Sequence, residues 1–290
     1  MSVALKSSAA IERRASARPA NDNKYAKATV GGIKTACLTR FQLANLMVND
    51  CFQARRSGKA PKLVFASNGH AIALYATDKS FRAQFDAADI VHADGQPVVM
   101  ASRLLASAAI PERSATTDFI HDAAKSAAAH GLKIFLLGAT ERVNAQCAQI
   151  LQAAHPELKI VGRRNGYFKR EDEAALCEQI NAAGADIVFV GLGVPLEYDF
   201  CVRNKVRLKA GWVVTCGGCF NFVTGAYRRA PQWMQTAGLE WLYRLVREPK
   251  RLFWRYAVTN PLAVFLLLTR THVLAEPEAQ VRALSHALAA

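Results

Sequence analysis

The sequence predicts an α/β protein with a mostly parallel sheet, helices on both faces, and a C-terminal helical appendage. Three observations carry that expectation. Short apolar runs (KLVFA at 62–66, KIFLLG at 133–138, DIVFVGLG at 186–193, WVVTCGG at 212–218) alternate with helix-length segments. Such a rhythm marks buried parallel strands joined by crossover helices. The 290 residues, 51% hydrophobic, suffice for a large core and exclude disorder throughout. From about residue 231 the texture turns helical and rich in Trp and Arg, without a strand candidate. The expected architecture is Rossmann-like.

Residues 1–32 read as a disordered basic tail, 33–230 as the α/β body, 231–270 as the appendage and 271–290 as a flexible C-terminal tail. Within the body, 39–57 places apolar residues at helical spacing, with Thr39 as N-cap and Ser57-Gly58 as the stop. A strand at 62–66 follows, then a helix from about 70, an amphipathic segment at 81–88, a strand at 89–92 and a helix at 97–107. The segment 116–131 is a helix ended by Gly131, and 133–138 a strand. Helix 139–155, strand 158–162, helix 170–184, strand 186–193, helix 195–208 and strand 212–218 complete the alternation. In such sheets ligands bind beyond the carboxyl ends of the strands. That rule points to Ser67-Asn68, Asp94-Gly95, Gly138, Gly166-Tyr167, Gly191–Pro195 and Gly217-Gly218.

Thirty-seven Lys and Arg against 23 Asp and Glu give a net charge of +14. That surplus favours polyanions: nucleic acid, an anionic membrane or phosphorylated small molecules. Seven cysteines at irregular spacing suit a reducing compartment. The N-terminus gathers no secretory apolar stretch. The charge-free windows 210–227 and 256–269 fall short of the roughly 20 apolar residues of a spanning helix, so no membrane crossing is expected.

Asp94, in HADGQP, follows a strand and precedes a helix. A carboxylate there can face the cleft as a general base, or simply cap a helix. Three strand-to-helix junctions carry Gly (FLLGATERV, VFVGLGVP, VVTCGGCF), and such turns offer backbone N–H groups to phosphate. None matches G-x-G-x-x-G or the Walker pattern. Cys216 and Cys219 read as small side chains in a tight turn rather than a redox pair or half a zinc site. His70 and His92 read as polar lining residues. No Asp-x-Asp pair is present, so neither a metal nor another cofactor is expected. In the segment 244–255, basic residues interleave with Leu, Phe and Trp, a pattern that suits single-stranded nucleic acid, a membrane interface or a packed helix with a solvated basic face, and the apolar VFLLL at 264–268 favours the membrane surface over nucleic acid.

IVHADGQPVVMASRLL, IPERSATTDF, FLLGA, NGYF, VFVGLGVPL and GGCFNFVTGAYRRAPQWMQTAGLEWLYRLVREPKR run in an order and spacing that resembles the bacterial WecG/TagA/CpsF glycosyltransferases. The resemblance covers roughly residues 33–257. It implies sugar transfer from a UDP-sugar to a polyprenyl-diphosphate-linked saccharide during surface-polysaccharide synthesis, by an inverting, metal-independent route at the cytoplasmic face of the membrane. The sugar would be N-acetylmannosamine, its uronic acid, glucose or glucuronic acid. The catalytic base falls on Asp94. Pocket residues fall on Ser67 and Asn68, and a phosphate-side Glu-Arg pair on Glu112 and Arg113, with Asp118 following. Nucleotide-side loops fall on Gly138, Gly191, Gly193 and Pro195. Glu197 stands where the family usually has Gln, and Cys219 and Asn221 also depart from its pattern. The appendage would meet an anionic membrane and the acceptor diphosphate through Arg244, Arg247, Arg251 and Arg255. A homo-oligomer is compatible with this reading, and no nucleic-acid partner is expected. The alternative is a non-enzymatic nucleotide- or nucleic-acid-binding protein that uses the basic helices.

Overall fold

The computed structural model describes residues 25–272, and it opens with a hairpin. β1 (Lys27–Val30) and β2 (Ile33–Ala36) pair antiparallel around Gly31-Gly32, whose φ values of +60° and +87° suit glycine. This corrects the boundary of the expected tail. Val30 and Ile33 are buried, and their burial fixes a stretch whose basic flanks read as disordered. Residues 1–24 and 273–290 lie outside the described residues.

Six strands form one parallel sheet: β3 (Lys62–Ser67), β4 (Ile90–Ala93), β5 (Lys133–Gly138), β6 (Lys159–Arg164), β7 (Ile187–Gly191) and β8 (Trp212–Thr215). Their spatial order is β4-β3-β8-β7-β5-β6. Alternate strand residues feed two cores. Leu63, Phe65, Val188, Val190 and Val213 pack with helices Gly69–Thr77, Lys79–Asp86, Gln96–Leu105, Glu173–Ala182 and Leu196–Asn204. Val64, Ile134, Leu136, Phe189 and Val214 pack with helices Arg40–Ser57, Thr116–His130 and Glu141–Ala154. Each fully buried Phe or Leu stabilises by about 1.5–3 kcal/mol relative to exposure.

Local signals act as expected at helix ends. Thr39 and Gln42 form a capping box, and Gly58 and Gly131 close their helices in the left-handed conformation. Strand β8 ends at Thr215, earlier than expected, because Gly217 (φ +51°) turns the chain into helix Cys219–Val223. At the strands' amino ends, carboxylates tie loops together. Asp186 accepts from Lys133 N (2.7 Å) and pairs with Arg55 (2.6 Å). The candidate site lies at the opposite, carboxyl ends of the strands.

The appendage comprises helices Gln232–Thr236, Glu240–Arg247 and Pro249–Thr269. The last runs unbroken through Asn260-Pro261, well beyond the fourteen-residue window 256–269. Pro261 is exposed, so the carbonyl it orphans can be hydrated. At 21 residues, this is the one described helix long and apolar enough to cross a membrane by length and composition. Leu252, Tyr256, Ala263, Leu266 and Leu267 are nevertheless buried, and the helix packs on Gly69–Thr77. Its end is held by the hairpin, with Gly32 N donating to Arg270 O (2.8 Å) and His272 N to Thr29 O (3.2 Å).

Candidate active site

Strands β3 and β4 end side by side, and Ser67 O accepts from Asp94 N (2.9 Å) and Gly95 N (3.2 Å). Asn68 begins the next helix as its N-cap, Oδ1 accepting from Ala71 N (3.1 Å), while its Nδ2 donates to Asp94 Oδ2 (3.1 Å). Asp94 Oδ1 accepts from Thr116 N at 3.1 Å, the first residue of helix Thr116–His130. Asp94 therefore does cap a helix, but not the one that follows it in sequence, whose N-cap Gly95 lacks a side chain. Each carboxylate oxygen keeps a lone pair beyond these contacts. Arg113 donates through Nε to the Asp94 carbonyl (2.6 Å), so four expected residues, Ser67, Asn68, Asp94 and Arg113, meet at one place.

A second group gathers at the ends of β5, β7 and β8. Gly138 and Gly191 are ladder partners, and a Cβ on Gly138 would stand 2.2 Å from Gly191 O. Only glycine permits that approach. The turn N–H groups that could face phosphate have protein partners here. Ala139 N donates to Gly191 O, and Gly193 N (3.1 Å) and Gly217 N (2.9 Å) both donate to Glu197 Oε2. Glu197 is only 3% exposed and lies one residue beyond Leu196, which follows Pro195. Burial, opposed by the backbone amides of Gly217, Gly193 and Leu192 and reinforced by Asp94, pushes its carboxyl up to about 7. Tyr198 packs edge-on against Phe65 in the core beside it.

The appendage arginines rest on different partners, two of them on one touching pair of rings, Phe222 and Tyr227 (centroids 5.5 Å apart). Arg244 stacks over Phe222 (5.6 Å), and Arg251 pairs with Glu248 (2.5 Å) and lies over Tyr227. Arg255 donates to the Tyr256 hydroxyl (3.2 Å), and Arg247 is exposed. Together with burial, Arg255 lowers His70 to about 4. His92 is buried rather than lining the cleft. Its Nδ1 meets Ser114 Oγ at 3.1 Å, and burial pushes its pKa down. Cys216 and Cys219 are free, buried thiols, and Cys219 Sγ donates to Thr116 O (3.4 Å). Burial raises the Cys216 thiol, the opposite of what an attacking thiolate needs.

Between body and appendage lies a cavity of about 240 Å³, lined by Arg40, Gln96, Glu112, Arg113, Asp118, Gln232, Gln235 and Thr236. Two ion pairs close its seam. Arg113 lies 2.8 Å from Glu240, and Arg229 pairs with Asp118 through both Nη atoms. Thr116, Arg229, Gln235 and Glu240 escaped the sequence reading. Arg229 and Glu240 do stand in the RRAP and GLEW stretches, whereas a backbone N–H such as that of Thr116 leaves no residue-type signal. Among the described residues, no group of three or more His, Cys, Asp or Glu is placed to hold a metal ion. Compared with models of protein families, residues 28–275 match the one described as the Glycosyl transferase WecG/TagA/CpsF family, a span that takes in all but the first residue of the hairpin and the whole last helix.

Proposed function

The chain belongs to the WecG/TagA/CpsF family of glycosyltransferases, and from that premise we propose an inverting transfer from a UDP-sugar to a polyprenyl-diphosphate-linked saccharide. The observation that carries the reading is the Asp94 carboxylate, held on both oxygens at the carboxyl edge of the sheet and tied through Arg113 to a polar cavity. Asp94 takes the proton of the acceptor hydroxyl as that oxygen bonds to the anomeric carbon. The bond from that carbon to the UDP phosphate oxygen breaks with inversion. Charge developing on the leaving diphosphate is met by Arg113, while the appendage arginines Arg244, Arg247, Arg251 and Arg255 meet the anionic membrane and the diphosphate of the acceptor. The sequence lacks an Asp-x-Asp pair, and the reading assigns this charge to arginine rather than to a divalent ion.

Ser67 and the loops at Gly138, Gly191, Gly193 and Pro195 border the donor side. Glu197 acts there through the loops it joins, since Oε2 is engaged by two backbone amides. The enzyme works as a cytoplasmic protein peripheral on the inner face of the plasma membrane. Exposed Trp254, Phe253, Val258, Phe265 and Leu268 support that placement, with a +14 chain behind them.

A panel of UDP-sugars with a lipid-diphosphate saccharide acceptor, with and without EDTA, tests the reading beside Asp94→Asn. We expect UDP release for one donor, insensitive to EDTA and reduced about 10²-fold or more in the variant. Absence of turnover on every donor, with steeply salt-dependent oligonucleotide binding, would replace this reading with the nucleic-acid one.

A further inference from the structure

Three arginines in or beside the cavity already have carboxylates. Arg40 lies 3.4 Å from Asp122 and 4.0 Å from Asp118, Arg229 is bound to Asp118, and Arg113 faces Glu240 at 2.8 Å. These carboxylates differ in what carries them. Asp118 and Asp122 belong to helix Thr116–His130, whose Phe119, Ile120, Ala123 and Ala124 are core. Glu240 belongs to helix Glu240–Arg247, which buries none of its residues. The following helix is fixed by its packing and by the hairpin. Glu240 is thus the carboxylate of this group whose helix can withdraw at the least apolar cost. The side chains of the Arg113–Glu240 pair are only 17% and 18% exposed, so solvent and salt screen it weakly.

We infer that Glu240 is a resident anion at Arg113: it holds helix Glu240–Arg247 against the cavity and is exchanged for a phosphate of the substrate. Phosphate binding and opening of this helix are then one event. The inference rests on the reading that the substrates carry diphosphate. Glu240 touches no reacting atom and is a positioning residue. Arg113 keeps its Nε hold on the Asp94 carbonyl through the exchange, so its guanidinium stays oriented.

The probe is inorganic pyrophosphate added to the full chain, followed by calorimetry and by hydrogen exchange of peptides spanning 240–247. In the wild type, pyrophosphate is expected to speed exchange in that segment, while sodium chloride at matched ionic strength does not. Glu240→Gln, neutral and of the same shape, is expected to exchange faster without pyrophosphate and to bind it roughly fivefold more tightly, the upper range for a partly exposed ion pair. Equal affinity in both proteins, or exchange that is unchanged or slower on binding, overturns the inference while leaving the diphosphate reading in place. Failure of both proteins to bind pyrophosphate overturns the two together. If Glu240→Gln does not fold, the wild-type exchange experiment decides alone.

Discussion

Asn68 uses both ends of one amide, capping a helix with Oδ1 and holding Asp94 with Nδ2. Asn68→Ala loses both and is expected to cost about 1 kcal/mol of stability as well as activity. Asn68→Asp separates them, since it keeps a capping oxygen but sets a second carboxylate against Asp94. Sugar transfer should fall at least about tenfold in Asn68→Asp, and a wild-type rate would remove Asn68 as the residue that orients the base. Glu197 gives the residue scale its pH dependence. Its folded pKa, about 7, lies above the ordinary 4.5, so its contribution to stability is complete below 4.5 and is lost as pH rises through 7. Tyr198, Cys201 and Cys216 feel its charge, and it feels that of Asp94. Glu197→Gln keeps an oxygen for both amides and cannot ionise. Its melting temperature relative to wild type should therefore rise between pH 5 and pH 8, and a constant difference would show that the carboxyl does not titrate there.

At the scale of elements, the junctions of β5, β7 and β8 are fixed by close approach. A Cβ on Gly138 would clash with the Gly191 carbonyl, at a φ of +135° that side chains avoid. Gly138→Ala should lower the unfolding free energy in urea by more than about 2 kcal/mol, and an unchanged midpoint would mean that the two loops can separate freely. These glycines were visible in the sequence as strand-to-helix junctions, yet their reason was not. They read as places for phosphate, whereas their nearest neighbours are one another and Glu197. The sheet itself was legible because continuous apolar strands and periodic helices obey local rules, as Thr39 with Gln42 and Gly131 show. The hairpin was not, because KATVGGIKTA has few apolar residues and gains its burial from chain far away, Ile72 beneath Gly31 and Arg270 above Gly32. The catalytic candidate was legible as Asp94 in HADGQP. Its second holder, Thr116 N, was not, since only the fold brings that amide within reach.

For the whole molecule, the question is whether helix Pro249–Thr269 crosses a bilayer or lies on it. Length and a mean hydropathy of 1.3 allow a crossing. Crossing would strip Leu252, Tyr256, Ala263, Leu266 and Leu267 from the body, leaving the apolar surface they cover there open to water, and would break the hairpin's hold on Arg270 and His272. Lying flat keeps these contacts and still immerses the opposite face, where Phe253, Trp254, Val258, Val264, Phe265 and Leu268 are exposed beside Lys250 and Arg251. The protein should therefore sediment with vesicles containing anionic lipid and leave them in alkaline carbonate. Replacing Trp254 and Phe265 together by Ser removes two apolar anchors without touching the buried face, and should weaken vesicle binding at least about tenfold. Pelleting that survives carbonate would mean instead that the helix abandons the body and spans. In that case the contact of the appendage with the Asp94 cleft would have to be remade at every docking event.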